Sequence, residues 1–410
     1  MKIQQIDVYA LRLQRHYRVS GHAETPGRLP GTDYYIEPNW VHAYSSVLES
    51  CVVKVTADDG SVGWGEVQAP LTPQTPCALI TTLLGPALLG HNALATSAAY
   101  DRLYHLMLAR GHNGSFLLDA MAGLDIALWD LKGRHYGAPL FELLGGPYRI
   151  ELPAYVSGLR FKTLAEKVAG ARQFCQAGFA GIKLFAGASL ETVETEVREV
   201  RAAIGPQAFF AVDAICKYNL ADAIHLGRTL DELHASWLEA PLNAEDVEGH
   251  AALARAIATP IAVGETLRTP RQFEPWLRNR ALAIAQPDIM RTGITGALRI
   301  AAVADAMHVP TTLHTGVCTG IGMAATWQLA AALPGEIPQE HQQDLFEAVG
   351  AVLKTPLVQR NGRLIVPQQP GIGVEVNEDA VAAMSTEHWI VDTKGRRCVG
   401  GLPSVFFKQP

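Results

Sequence analysis

Residues 1–13 alternate apolar and polar positions as a strand does. Residues 50–57 and 61–67 repeat that alternation on either side of Asp58-Asp59-Gly60, which predicts a hairpin. From about Arg15 to His42 the chain is rich in Gly, Pro, His and Tyr and has no period. Loops of that length are uncommon inside compact domains and often serve as lids or binding loops. From about 75 to 147 the pattern turns helical, most strongly over 119–137, where Gly137 and Pro139 end it. Residues 1–125 are therefore expected to form an α+β unit, with a lid loop at about 15–45.

From 151 onward the rhythm changes. Short apolar runs end near 158, 185, 214, 240, 265, 288, 314 and 340, separated by amphipathic stretches such as 190–205. Strands that alternate with helical stretches imply a parallel sheet with crossover helices. Eight even units make a (β/α)8-type barrel the economical fold for 126–350, with an irregular last helix. A doubly wound open sheet is disfavoured, because no Gly-rich phosphate loop follows the first strand. Residues 352–377 read as a hairpin around Asn361-Gly362 plus one more strand. The segment 351–410 is expected to return to the N-terminal unit, which makes that unit a capping domain.

Composition narrows the function. Hydrophobic residues make up 48% and charged residues 18%, which excludes wholesale disorder. Lys+Arg 34 against Asp+Glu 40 leaves a net charge of −6, so there is no basic excess to neutralise a nucleic acid. The six cysteines form no C-x-x-C pair and no disulfide framework. The first residues lack a signal-peptide core, and the longest apolar run, near 78–90, is broken by Gly85, Pro86 and Gly90. A cytoplasmic enzyme with no membrane partner is expected.

The last polar residues of the barrel strands are Lys183, Asp213, Glu239, Glu265, Asp288, His314 and Glu340, with gaps of 30, 26, 26, 23, 26 and 26. Each gap is one βα unit, so seven ionisable groups fall at the same height on successive strands. A single carboxylate at a strand end is commonly an N-cap for the next helix. Seven in one phase are not explained by independent caps, and the C-terminal rim is where barrel active sites lie. Asp213, Glu239 and Glu265 would repel one another without a cation. Mg2+ suits three hard oxygen ligands, whereas zinc prefers His or Cys. Lys183 and His314 flank them as possible bases, and Asp288 is placed to hold the second imidazole nitrogen of His314. Such a site suits removal of a weakly acidic proton beside a carboxylate.

These residues, with Glu340, the hairpin over 62–67 and the helix around 125–133, resemble the mandelate-racemase-like subgroup of the enolase superfamily over nearly the whole chain. The resemblance implies one Mg2+ per subunit on Asp213, Glu239 and Glu265 and an enediolate intermediate. It implies that Glu340 supports the substrate carboxylate or the enediolate. It also implies a small-molecule acid-sugar substrate, a role in sugar-acid catabolism, and an octamer or smaller homo-oligomer.

Two positions depart from that family. Where it often has K-x-K, this chain has Lys183-Leu184-Phe185. Where it often has D-x-N, the chain has Asp213-Ala214-Ile215. Lys183 matches the lysine that neutralises the substrate carboxylate, and the second base is missing. Racemisation needs a base on each face of the α-carbon, whereas β-elimination of water needs one base and one acid. A dehydratase giving a 2-keto-3-deoxy acid is therefore expected. A sugar-acid lactone cycloisomerase is the alternative, and a racemase or epimerase comes third. Protonated His314 is one possible acid, and Lys217 on the loop after the third strand is another. His22, Tyr34 and Tyr35 in the lid, and Arg160, Arg268 and Arg291 after barrel strands, are candidate substrate contacts. Cys216 and Cys318 near the mouth are expected to be structural.

Overall fold

The computed structural model describes residues 1–16, 27–37 and 42–400. The first strand, Ile3–His16, pairs antiparallel with Val47–Ala57, which pairs with Val62–Val67 around the expected turn. Ser385–Asp392 joins the free side of the first strand, and Gly395–Gly400 forms the edge beyond it. The stretch after 385, unreadable by period, thus completes a five-stranded sheet.

The helix Ser115–Tyr136 lies on that sheet and runs unbroken through position 125. Two glycines allow the close approach. A Cβ on Gly63 would lie 2.1 Å from the Ala127 carbonyl oxygen, and one on Gly65 would lie 2.0 Å from that of Gly123. Because side chains alternate along a strand, Trp64 and Glu66 face away from the helix. Glu66 is fully buried and accepts from the Thr319 amide at 2.6 Å and the Gly322 amide at 2.7 Å. This carboxylate joins the sheet to the start of the barrel helix Gly320–Ala332.

The barrel runs through Glu151–Ser157, Gly181–Phe185, Phe209–Asp213, Trp237–Glu239, Ile261–Val263 and Ile284–Ala285 as parallel neighbours. A parallel bridge from Ala285 to Thr311 adds the seventh position, and Gln339–His341 pairs with the first strand. Among the described residues the helix after the eighth strand is a single short one, Phe346–Val349, as expected. In the barrel interior the rings of Tyr155 and Phe209 stack, and Trp237 meets both edge-on.

One expectation fails. The hairpin Val358–Arg360/Arg363–Ile365 pairs with residues 151–153 of the first barrel strand, not with the N-terminal sheet. The further strand expected before 377 is only a bridge between Leu353 and Val376.

The capping explanation for the rim is also answered. Thr163, Ser189, Asn219, Asp246, Thr269 and Thr319 cap six of the barrel helices with their own side chains. Among the seven rim residues, Asp288 alone serves as a cap, accepting from the Met290 amide. The others are free for a different task.

Candidate active site

The seven rim residues meet in two clusters. Lys183 is buried, its Nζ 2.7 Å from Glu239 Oε1, 2.8 Å from Glu340 Oε1 and 3.9 Å from Asp213 Oδ2. Glu239 Oε2 accepts from Trp237 Nε1 and Gln286 Nε2, both at 3.0 Å. His314 places Nδ1 2.8 Å from Asp288 Oδ2 and Nε2 2.9 Å from Glu265 Oε2. Glu340 Oε2 lies 3.8 Å from that Nε2 and accepts from the Thr315 amide. The Asp288–His314 dyad read from the spacing is therefore formed.

The charges follow from these contacts. Burial works against the ammonium of Lys183, but Glu239 and Glu340 outweigh it and hold the group well above its ordinary range. An ammonium so held is not a base. Burial likewise opposes the imidazolium of His314, and Glu340 and Glu265 reverse the balance and raise it. Asp213 is pushed far up by burial and by the like charges of Glu239 and Glu265.

Five carboxylates (Asp213, Glu239, Glu265, Asp288 and Glu340) thus share Lys183 and His314, with Arg291 nearby as a third cation. With all five carboxylates ionised, two negative charges would be unbalanced, which is why Asp213 is pushed toward its protonated form when no cation is bound. Among the described residues, no three His, Cys, Asp or Glu side chains stand in the arrangement of a metal site, and Lys183 and His314 engage Glu239 and Glu265. The donor set still fits a hard divalent cation: three carboxylates on adjacent strands, Asp213 and Glu239 buried and Glu265 partly exposed to the cavity, with Asp213 destabilised by the other two. Mg2+ matches both the oxygen chemistry and the missing charge.

These groups open into a cavity of about 600 Å³ between the rim and the N-terminal sheet. Lys183, Asp213, Glu265, His314 and Glu340 line it, whereas Glu239 and Asp288 stand behind. Phe185 lines it too, under the guanidinium of Arg160. Of the three candidate arginines, Arg268 is taken up by a two-pronged ion pair with Asp119 and does not line the cavity. Arg160 lines it but is bound to Asp344 and Gln342. Arg291 lines it with a buried Nε that has no hydrogen-bond partner among the described residues.

Lys217 does not line the cavity, and its Nζ donates to the carbonyls of Gly187 and Ala188. Tyr34 and Tyr35 do not line the cavity either. The Tyr34 hydroxyl accepts from the Thr72 amide, and the Tyr35 ring packs near Tyr44. His22 lies outside the described residues. Cys216 lines the cavity with its thiol pushed up to about 12 by burial and by Glu265 and Asp213, so it is no nucleophile. Cys318 is buried. Sequence reasoning missed Glu49 and Gln68, which bring the N-terminal sheet into the cavity. No sequence signal marked Glu49, since its strand also carries Ser50, Lys54 and Thr56.

A (β/α)8 barrel with an ionisable C-terminal rim under an α+β cap defines an enzyme of the enolase superfamily type. Residues 38–145 match the mandelate racemase/muconate lactonizing enzyme N-terminal domain, and residues 166–380 match the enolase C-terminal domain-like family. The chain belongs to the mandelate racemase/muconate lactonizing enzyme family. It is 31% identical to D-galactarolactone cycloisomerase of Agrobacterium fabrum, over 80% of this chain and 89% of that one. It is 30% identical to arabinonate dehydratase of Saccharolobus solfataricus, over 81% and 89%. L-Talarate dehydratase from Polaromonas sp. JS666, solved with Mg and L-glucarate, superposes with a TM-score of 0.79 at 26% identity, over 96% and 99%. These relatives are hydro-lyases and an isomerase, and this chain is an enzyme of that kind. No helix among the described residues is long and apolar enough to cross a membrane.

Proposed function

We propose that this chain is a Mg2+-dependent dehydratase of a sugar acid. It removes the proton α to the carboxylate with His314 and expels the β-hydroxyl to give a 2-keto-3-deoxy acid. The observation that carries this reading is the pairing of one dyad with one locked ammonium. His314 is oriented by Asp288, Lys183 is held charged by Glu239 and Glu340, and Phe185, at the position where the family resemblance puts a second base, lines the cavity. Asp213, Glu239 and Glu265 would hold the metal. Bound there, Mg2+ would stabilise the charge that develops on the substrate carboxylate when the α-proton leaves. Lys183 neutralises that carboxylate, Glu340 holds the Lys183 ammonium in place, and Asp288 fixes the imidazole tautomer through Nδ1.

Lactone cycloisomerisation uses the same first step, and the 31% identity to a cycloisomerase favours keeping it as a second reading. A lactone's leaving group is already a carboxylate and departs without an acid, whereas hydroxide needs one. The test is His314→Asn, followed by NMR in D2O with Mg2+ and a panel of D-galactonate, D-arabinonate, galactarate and D-galactarolactone. Exchange of the α-proton is expected in the wild type and is expected to vanish in the variant. Its persistence would make another group the base and return the epimerase reading.

A further inference from the structure

Expelling a hydroxyl needs a proton donor near the β-carbon, and the rim offers few. Protonated His314 can serve only a hydroxyl on the face from which it took the α-proton, Lys183 is locked between two carboxylates, Lys217 is bound to backbone carbonyls, and Glu265 and Glu340 are ion-paired. The roof of the cavity offers one more group. Glu49 projects into it from the strand Val47–Ala57 and is only 7% exposed. Tyr34 and Ser45 hydrogen-bond to its carboxyl, while Oε2 has no protein partner among the described residues.

A buried carboxyl oxygen left without a partner costs roughly 1–3 kcal/mol. Such a group in a cavity wall is commonly completed by what the cavity binds. We propose that Glu49 is the general acid of the elimination, delivering its proton to the departing β-hydroxyl from the capping side while His314 works from the rim. This rests on the elimination reading above. In the step, the electron pair left on the α-carbon forms the Cα=Cβ bond. The Cβ–O bond breaks, and the oxygen leaves as water with the Glu49 proton. The enol then becomes the ketone, and the Glu49 carboxylate takes a new proton from solvent.

The surroundings suit the role. Burial raises the Glu49 carboxyl, and the like charge of Asp33 adds to it, against the opposing pulls of Tyr34, Arg12 and Ser45. Arg12 is itself ion-paired with Asp33, so it does not hold Glu49 ionised as a bound partner would. The Tyr34 hydroxyl accepts from Thr72 and is fixed as a donor toward Glu49. The tyrosine read as a lid residue thus acts by orienting the acid.

Glu49→Gln tests this, since the amide keeps the shape and an acceptor for Tyr34 and Ser45 but cannot give up a proton. α-Proton exchange and 2-keto acid formation are read in parallel in D2O, on whichever acid of the panel above the wild type dehydrates. Exchange is expected to stay within about threefold, while elimination falls at least ~100-fold, the scale of a lost general acid. Glu49→Asp should restore part of it. Melting curves of all three proteins control for folding. Equal loss of exchange and elimination, or elimination kept with only a raised KM, would overturn the role of Glu49. A wild type inert toward the whole panel would remove the dehydratase reading itself, and this proposal with it.

Discussion

Glu265 and His314 hold each other in the charged state, and that pair explains why a cation belongs in this site. A base must be neutral to take a proton, and here the imidazole Nε2 faces a carboxylate at 2.9 Å that favours its charged form. Glu265 would hold the cation, and with that carboxylate so engaged the ring of His314 would be less costly to deprotonate. A second histidine nearby behaves in the opposite way. His341 is buried between the rings of Phe179 and Phe346. Burial lowers its pKa to about 4, against a small opposing effect of Gln343. A depressed histidine contributes stability above its unfolded value of about 6.5, and the protein loses it as pH falls through 4. Between pH 7 and 4 the wild type should lose roughly 3 kcal/mol relative to His341→Gln, at 1.36 kcal/mol per pKa unit. Denaturant titrations of both proteins at several pH values read this directly, and parallel stability curves would rule it out.

At the scale of the element, two contacts join the cap to the active-site loops. Glu66 binds the amides of Thr319 and Gly322, just beyond His314, and Asp119 binds Arg268, just beyond Glu265. The first depends on the strand Val62–Val67 lying flush against the helix Ser115–Tyr136, which Gly63 and Gly65 permit. Gly65→Ala would drive a methyl group to 2.0 Å from a backbone oxygen. Overpacking of this kind costs typically ~1–3 kcal/mol, and more where the obstacle is backbone. The melting temperature should drop by several degrees, and activity should fall even where the fold survives. A fully active, equally stable variant would mean that the contact is not held tightly.

Across the whole molecule, local and repeated features were legible in the sequence, and distant pairings were not. The barrel was readable because each βα unit carries its own period, and the rim because the same phase recurs in unit after unit. The docking of the hairpin at 358–365 was not readable, since its partner strand lies about 200 residues earlier and either sheet could have received it. The three candidate arginines looked alike for the same reason. Asp119 and Asp344, which occupy Arg268 and Arg160, are 149 and 184 positions away from them. Glu49 was silent because a strand acid reveals neither its burial nor the cavity it faces until the cap is seated on the barrel.

The most direct test of elimination from one face with His314 as base follows the wild type in D2O with Mg2+ over the sugar-acid panel. A 2-keto-3-deoxy acid is expected to form, with any α-deuterium entering in a single configuration. Phe185 stands two residues after Lys183 on the same strand face, and an apolar ring there cannot carry a proton. Interconversion of both α-epimers with no keto product would contradict the account and assign the site to racemisation.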